Sequence, residues 1–236
     1  MRVDHRRAHI PVAQSPGLPE SVSFVKALRK RTVKELADGL RWRRENASYV
    51  IRKKLGLPTI QWMRVVMQKA TTEFLSSLPV QDLSALEISG RHWAHLPFRS
   101  YQSVDYTEYD ICSGPHKENF YDVVIAEQVL EHVLWPYRAV RNVHRMLKPE
   151  GVFIVNTPFL VRVHNHPVDC SRWTELGIKH LLAEGSFELK NIQTGSWGNR
   201  RCAISNFARW IPWTPVKHSL RNEPDFPCVV WAFARK

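Results

Sequence analysis

The chain has 236 residues, of which 44% are hydrophobic and 24% charged, so a sizeable core is expected and a disordered or fibrous protein is not. Its formal net charge of +12 is unevenly distributed, because residues 1–70 carry +11 and residues 71–236 only +1. No stretch reaches the roughly 18 consecutive apolar residues of a membrane-spanning helix, and no apolar core of a secretory signal follows the Arg-rich start. Neither element is therefore expected.

Cysteine usage points to a reducing compartment. Cys112, Cys170, Cys202 and Cys228 are scattered without a CxxC pair, so neither a disulfide framework nor a metal site is predicted. The cytoplasm is the simplest localisation for such a chain.

The N-terminal third is predicted to be an arm followed by basic helices. Residues 1–20 are rich in Pro and Arg and predict a flexible arm. Residues 21–78 predict a basic helical cap or extension, in which Thr59 caps a helix with its apolar side chains at Met63, Val66, Met67, Ala70 and Phe74. Three uses of the basic surface stay open: a solvated or dimerising face, a grip on RNA or another polyanion, and contact with an anionic membrane.

From residue 79 the pattern alternates between short apolar strands and helices. Strands are predicted at 85–88, 103–105, 122–126 and 151–155, helices from Pro136 and over 174–184, a strand-like stretch at 187–194 and a last strand at 229–234. This order predicts an α/β fold, an open doubly wound and mostly parallel sheet over 79–236, with an aromatic insertion near 195–227. Ligands of such sheets bind at the carboxyl ends of the strands.

Acidic residues stand at those predicted strand ends. Glu87 and Asp105 lie at the ends of the first two predicted strands, and Asp110 follows the second. A carboxylate after the second strand can accept both hydroxyls of a ribose, so a nucleoside-containing cofactor is indicated. Solvated loop acids are the alternative.

Several ordered motifs resemble class I S-adenosylmethionine-dependent methyltransferases, and most closely the small type 11 group. The resemblance is carried by YDVVIAEQVLEHV at 121–133, MLKPEG at 146–151 and NTPF at 156–159. The stretch HNHPVDCSRWT at 164–174 is similar to the group's H-x-x-P-x-D-x-x-R-x-T pattern. The resemblance covers residues 84–187 well and implies a Rossmann-like methyltransferase fold.

The resemblance also implies a cofactor, S-adenosylmethionine, and the residues that bind it. The first loop would contribute Glu87, Ser89 and Gly90, and Asp105 would bind the ribose diol. Asp110 would accept from the adenine amino group and Ile111 would contact the ring. The boundary between cofactor and acceptor would be formed by Glu127 and Gln128.

The first loop departs from the family pattern. The usual E-x-G-x-G-x-G reads Glu87-Ile88-Ser89-Gly90-Arg91-His92-Trp93 here, and side chains in place of glycine would crowd the cofactor. The link to the second strand is also short, so its helix should be abbreviated or replaced by a loop around Pro97. A methyltransferase-like scaffold without activity is therefore one alternative function.

The leading function is methyl transfer to a small-molecule or glycan acceptor, on oxygen or nitrogen, and an RNA or polyanion methyltransferase is the other alternative. The methyl group is already activated, so the enzyme must mainly align the acceptor and exclude water. A base is needed only for a hydroxyl or protonated amine, and His132 and His164 are the catalytic candidates, with structural roles open for both. His166, Arg172 and Trp197 are expected near the substrate, although Arg172 also suits a pair with Asp169.

Overall fold

The computed structural model describes Ala47 and residues 50–57, 59–165 and 167–236. The predicted arm and most of the predicted basic helices lie outside the described residues. The fold centres on one six-stranded sheet of order β2-β1-β3-β4-β6-β5. Its strands are β1 (Ser84–Ile88), β2 (Ser100–Val104), β3 (Tyr121–Glu127), β4 (Leu147–Pro158), β5 (Ile192–Trp197) and β6 (Val229–Arg235).

The sheet is mixed, as the expectation of a mostly parallel sheet allows. Strands β2, β1, β3 and β4 are parallel neighbours, whereas β6 runs antiparallel between β4 and β5. The central strands β1 and β3 are apolar and almost wholly buried because both faces of the sheet are covered. β5 begins at Ile192, later than predicted, because Leu189–Asn191 forms a 3-10 turn instead of extended chain.

Four helices are described in full: α1 (Trp62–Ser76), α2 (Pro136–Met146), α3 (Glu175–Glu184) and α4 (Arg200–Ala208). Helix α1 begins at Trp62 with Gln61 as its N-cap, so the prediction that Thr59 caps it is wrong. It buries Trp62, Met63 and Met67, and it contacts β5 and β6. Arg52–Lys236 form one compact unit, which includes both α1 and the sheet.

The connection from β1 to β2 contains no helix in the described structure, which confirms the predicted abbreviation of this crossover. Its place against the sheet is taken by Trp93, which is 1% exposed and packs with Leu75, Val123, Ile125 and Ile154. One indole therefore covers a surface that a crossover helix would otherwise shield from water.

On the other face, α2 packs over β3 and β4, α3 packs over β5 and β6, and the two helices contact each other. Helix α2 has Pro136 in its first turn, and Thr174 caps α3 by accepting a hydrogen bond from the Gly177 N–H at 3.1 Å. Gly185 is the C-cap of α3, and a Cβ at this position would lie 2.2 Å from Val140 Cγ1. Close helix packing, and not a left-handed cap, requires this glycine.

The predicted aromatic insertion contains β5, helix α4 and a long return to β6. Asn199 begins α4, its side chain accepting a hydrogen bond from the Cys202 N–H at 2.8 Å. Backbone hydrogen bonds join Trp62 to Ile211 and Trp213 to Ile60, so the insertion is tied to the start of α1. Among the described residues, no helix combines the length and apolarity needed to cross a bilayer.

Candidate active site

A cleft of about 440 Å³ opens at the carboxyl ends of β1 and β3. The chain leaves β1 toward β2 on one side and later passes from β3 to β4 on the other, so these ends form the switch point of the sheet. The cleft is lined by Ile88, Ser89, Tyr106, Tyr109, Asp110, Ile111, Cys112, Gln128, Val129, His132, Val133, Leu134, Trp135, Pro167 and Val168.

Glu87 organises the first loop. The carboxylate is 2% exposed and accepts hydrogen bonds from the backbone N–H groups of His92 at 2.8 Å and Trp93 at 2.9 Å. It also accepts the Tyr101 hydroxyl at 2.6 Å, and this hydrogen bond adds to burial in raising the pKa of Tyr101. Glu87 therefore shapes the loop beside the cleft, and it is not among the residues that line the cleft.

Gly90 is required by that same carboxylate. A Cβ at Gly90 would lie 2.9 Å from Glu87 Oε1, closer than side-chain atoms normally approach. The other side chains of the loop do not crowd the cleft: Ser89 lines it, Arg91 and His92 are exposed, and Trp93 points into the core. The expected obstruction of the cofactor by a glycine-poor loop is therefore absent among the described residues.

The far side of the cleft is acidic and aromatic. Asp110 lines the cleft, and its Oδ1 accepts the Cys112 N–H at 2.8 Å. Ile111 is buried, and its carbonyl accepts the Asn142 side-chain amide at 2.8 Å, which fixes the backbone here. Asp105 is exposed directly after β2, and Tyr106 beside it is 65% exposed at the cleft wall.

These residues suit the adenosine portion of S-adenosylmethionine. Asp105 and Asp110 offer carboxylates to hydroxyl and amino donors, while Ile111 and Tyr106 offer apolar and aromatic surface to a flat base. Ile88 and Ser89, at the end of β1, also line the cleft. The donor set and the cleft therefore fit the cofactor that the sequence implies.

The end of β3 is joined to β4 by amide contacts. Gln128 has a positive φ of 56°, and its N–H donates to the Asn156 carbonyl at 2.9 Å. The Asn156 side chain donates to Glu127 Oε1 at 3.1 Å, and burial raises the pKa of Glu127. Gln128 lines the cleft, whereas Glu127 is held behind it. Asn156 lies in the NTPF motif, but it was not predicted to be a site residue.

A second polar group follows at Glu131, His132 and His164. The two imidazole rings lie edge to face with centroids 5.0 Å apart, and His132 Nε2 lies 3.6 Å from Glu131 Oε1. His132 lines the cleft and its Nδ1 is hydrogen-bonded to the Val168 carbonyl. Burial raises the pKa of Glu131 to about 8 and lowers that of His164. Glu131 was not predicted to be a site residue, because the sequence around it does not distinguish a buried carboxyl from a solvent-exposed one.

Asp169 orders the loop that carries His164. Its Oδ2 accepts the His164 N–H at 2.8 Å and lies 3.3 Å from His164 Nδ1. Arg172 forms a bidentate pair with the same carboxylate, with Nη2 2.6 Å from Oδ2, which confirms that pairing. The guanidinium therefore holds the loop, and the expectation that it contacts substrate receives no support.

Trp197 is not among the residues that line the cleft, and its contact with the substrate stays a prediction. Its side chain is 2% exposed in the core beneath α1 and α4, and its indole N–H donates to the Leu220 carbonyl at 2.9 Å. Trp210 instead approaches the site, with its ring centroid 5.4 Å from that of His164. His166 lies outside the described residues.

Comparisons with known proteins agree with this geometry. Residues 70–155 match the family described as a methyltransferase domain. An S-adenosylmethionine-dependent methyltransferase from Thermotoga maritima is 13% identical with a TM-score of 0.51, and the alignment covers 83% of this chain and 97% of that one. One from Mesorhizobium loti is 15% identical with a TM-score of 0.47, covering 70% and 96%. A search of curated proteins found no match. The family match over residues 70–155, together with the sheet order and the cleft, indicates a methyltransferase domain of the S-adenosylmethionine-dependent type.

Proposed function

We propose that the enzyme methylates a hydroxyl or amine of an uncharged small-molecule or glycan acceptor. The observation that carries this proposal is the polar group of His132 and His164 beside the cleft, with their rings 5.0 Å apart. Imidazole nitrogens hydrogen-bond to hydroxyl and amine groups, so they can orient a nucleophile of either type. The acceptor therefore lies where the cleft meets the ends of β3 and β4.

Different residues along the cleft bind the cofactor and the acceptor. S-adenosylmethionine supplies an electrophilic methyl group when bound. Asp105 and Asp110 hold the adenosine portion, and Gln128 lies between that portion and the acceptor. Alignment of the nucleophile and exclusion of water then supply most of the rate enhancement. His132 and His164 are the proposed catalytic residues because, unlike Asp105 and Asp110, they would contact the acceptor.

The charge of the cleft favours a neutral acceptor. The residues that line it include Asp110 but neither lysine nor arginine. Arg172, the cation beside His164, is paired with Asp169 and offers little attraction to an anion. A phosphate-rich acceptor such as RNA would need cations at this position. The basic residues that could supply them lie mainly in the N-terminal part of the chain, outside the described residues.

The proposal is tested by methyl transfer from labelled S-adenosylmethionine to neutral sugars, small alcohols, amines and RNA. We expect labelling of a neutral hydroxyl or amine compound, and labelling of RNA alone would contradict the proposal. Failure to label any compound despite cofactor binding would support the alternative of a non-catalytic scaffold.

Variants of His164 test its role in the same assay. We expect His164→Ala to reduce turnover far more than cofactor affinity, and the exposed His180→Ala on α3 to change neither. Equal losses of turnover and cofactor affinity in His164→Ala would indicate a structural role.

For localisation, the free state of all four cysteines supports the proposed cytoplasmic setting.

A further inference from the structure

Glu131 poses a problem that the methyltransferase fold does not explain. Its side chain is 0% exposed, and both carboxylate oxygens are buried without a hydrogen-bond partner in the described structure. A buried carboxylate with no partner is costly, and folded proteins rarely retain one. Arg172 is paired with Asp169, Arg64 forms no ion pair within 4.0 Å among the described residues, and the neighbouring His132 Nε2, at 3.6 Å, is beyond hydrogen-bond distance.

Two histidines share the space next to this carboxylate. One ligand atom from each of Glu131, His132 and His164 lies within 4.8 Å of the other two. Ligand atoms around one ion at about 2.1 Å lie roughly 3.0–3.5 Å apart. Small side-chain rotations would therefore bring the three groups to the spacing of a metal site.

The orientation of His132 suits metal binding. A backbone carbonyl only accepts hydrogen bonds, so the contact of Nδ1 with the Val168 carbonyl assigns the proton to Nδ1. In the neutral ring, Nε2 then carries the lone pair, and this atom lies 3.6 Å from Glu131 Oε1. Metal-binding histidines characteristically donate their second N–H to a carbonyl or carboxylate in this way.

The surrounding backbone holds the three groups in place. The Glu131 carbonyl accepts the N–H groups of Cys170 at 2.7 Å and Ser171 at 3.3 Å, which ties the turn of Glu131 and His132 to the loop after His164. Asp169 lies 3.3 Å from His164 Nδ1 and is itself held by Arg172. The Val168 carbonyl behind His132 is the outer support that metal sites use, and the Asp169 carboxylate lies next to His164 without a hydrogen bond to its Nδ1.

We propose that Glu131, His132 and His164 bind one divalent transition-metal ion. Two imidazoles and one carboxylate suit Zn²⁺, Mn²⁺, Co²⁺ or Fe²⁺ better than Ca²⁺ or Mg²⁺, which favour oxygen ligands. Three protein ligands leave coordination positions open, and His132 lines the cleft. If the proposed function is correct, the two histidines orient the acceptor through the ion, and an oxygen or nitrogen of the acceptor occupies one of these positions. This last step rests on the proposed function, whereas the metal site rests on the side chains alone.

Binding is tested calorimetrically with tag-free, chelator-treated full-length protein titrated with Zn²⁺ alone, then Mn²⁺ and Mg²⁺. We expect one ion per chain for Zn²⁺, with at least tenfold weaker binding of Mg²⁺. Glu131→Gln and His164→Ala should each weaken Zn²⁺ binding at least about tenfold, while His180→Ala serves as the matched surface control. Undiminished Zn²⁺ binding in Glu131→Gln, equal affinity for Mg²⁺, or no saturable binding would overturn the site.

Thermal unfolding provides a second readout that separates folding from binding. Glu131→Gln replaces a buried carboxyl group whose oxygens have no hydrogen-bond partner, so its Tm without metal should equal or exceed that of the wild type. Added Zn²⁺ should raise the Tm of the wild type but not that of the variant. A titration with S-adenosylmethionine then distinguishes the two proposals. Cofactor binding and methyl transfer without Zn²⁺ binding would refute only the metal site, and Zn²⁺ binding without cofactor binding would refute only the proposed function.

Discussion

Glu87→Gln tests the inference that one buried carboxylate shapes the cofactor loop. Glu87 Oε2 accepts Trp93 N–H and Tyr101 O–H, and Oε1 accepts His92 N–H. Glutamine has one acceptor oxygen and an NH2 group, so at least one of these donors would face another donor. Hydrogen bonds to charged groups contribute about 1.5–3 kcal/mol each, and the variant should lose about that much stability.

The same change should weaken cofactor binding, since Ser89 on this loop lines the cleft. If the full loss were expressed in binding, about 1.5–3 kcal/mol would correspond to a roughly 10- to 100-fold higher Kd for S-adenosylmethionine. Urea unfolding and calorimetric titration measure the two effects separately.

Tyr101→Phe is the matched control, because it removes one hydrogen bond to Glu87 and leaves both loop amides paired. It should cost about 1 kcal/mol of stability with little change in the Kd for S-adenosylmethionine. If Glu87→Gln bound the cofactor as tightly as the wild type, or if Tyr101→Phe weakened binding equally, the role assigned to Glu87 would be refuted.

Three further predictions concern stability. Trp93→Ala should lower the free energy of unfolding by about 3–5 kcal/mol and Trp93→Phe by much less, since the indole N–H is buried without a partner. Gly198→Ala should destabilise by at least about 1–3 kcal/mol in urea unfolding, because its Cβ would lie 2.0 Å from the Phe226 carbonyl oxygen. Burial would raise the pKa of Asp122, but bonds from Lys148 and Ser84 outweigh it and leave that pKa below its usual value. The contribution of ionised Asp122 to the free energy of unfolding is present above the pKa of this group in the unfolded chain, and it is lost as the pH falls through its pKa in the folded protein. The wild type should therefore lose more stability than Asp122→Asn between about pH 5 and pH 2. Equal pH profiles, a neutral Gly198→Ala or a stable Trp93→Ala would each contradict its prediction.

Helices and strands could be predicted from the sequence where the spacing of apolar residues matches the pattern of buried residues in the structure. Strands β1 and β3 are short, mostly apolar runs buried on both faces, β4 is buried over 151–158, and α2 keeps Val140 and Val143 inward with Arg141 outward. Helix α4 was missed because its burial depends on contacts with α1 and its start depends on the Asn199 side chain. Local periodicity does not contain those tertiary contacts.

Part of the cleft lining agrees with the sequence analysis. Gln128 directly follows β3, and Asp110 and Ile111 lie in the loop after β2, where the resemblance implied them; all three line the cleft. The first loop was more difficult, because the motif does not show that Trp93 turns into the core. Glu131 was missed for a similar reason: its complete burial is produced by the loop after β4, which folds back over it.

The most direct test is a calorimetric titration of the full chain with S-adenosylmethionine and with its demethylated product. The structure predicts saturable binding of one molecule per chain, weakened at least about tenfold by Asp110→Ala and unchanged by the exposed control Glu184→Ala. Absence of binding by folded wild-type protein, or equal binding by Asp110→Ala, would contradict the assignment of this cleft to the cofactor.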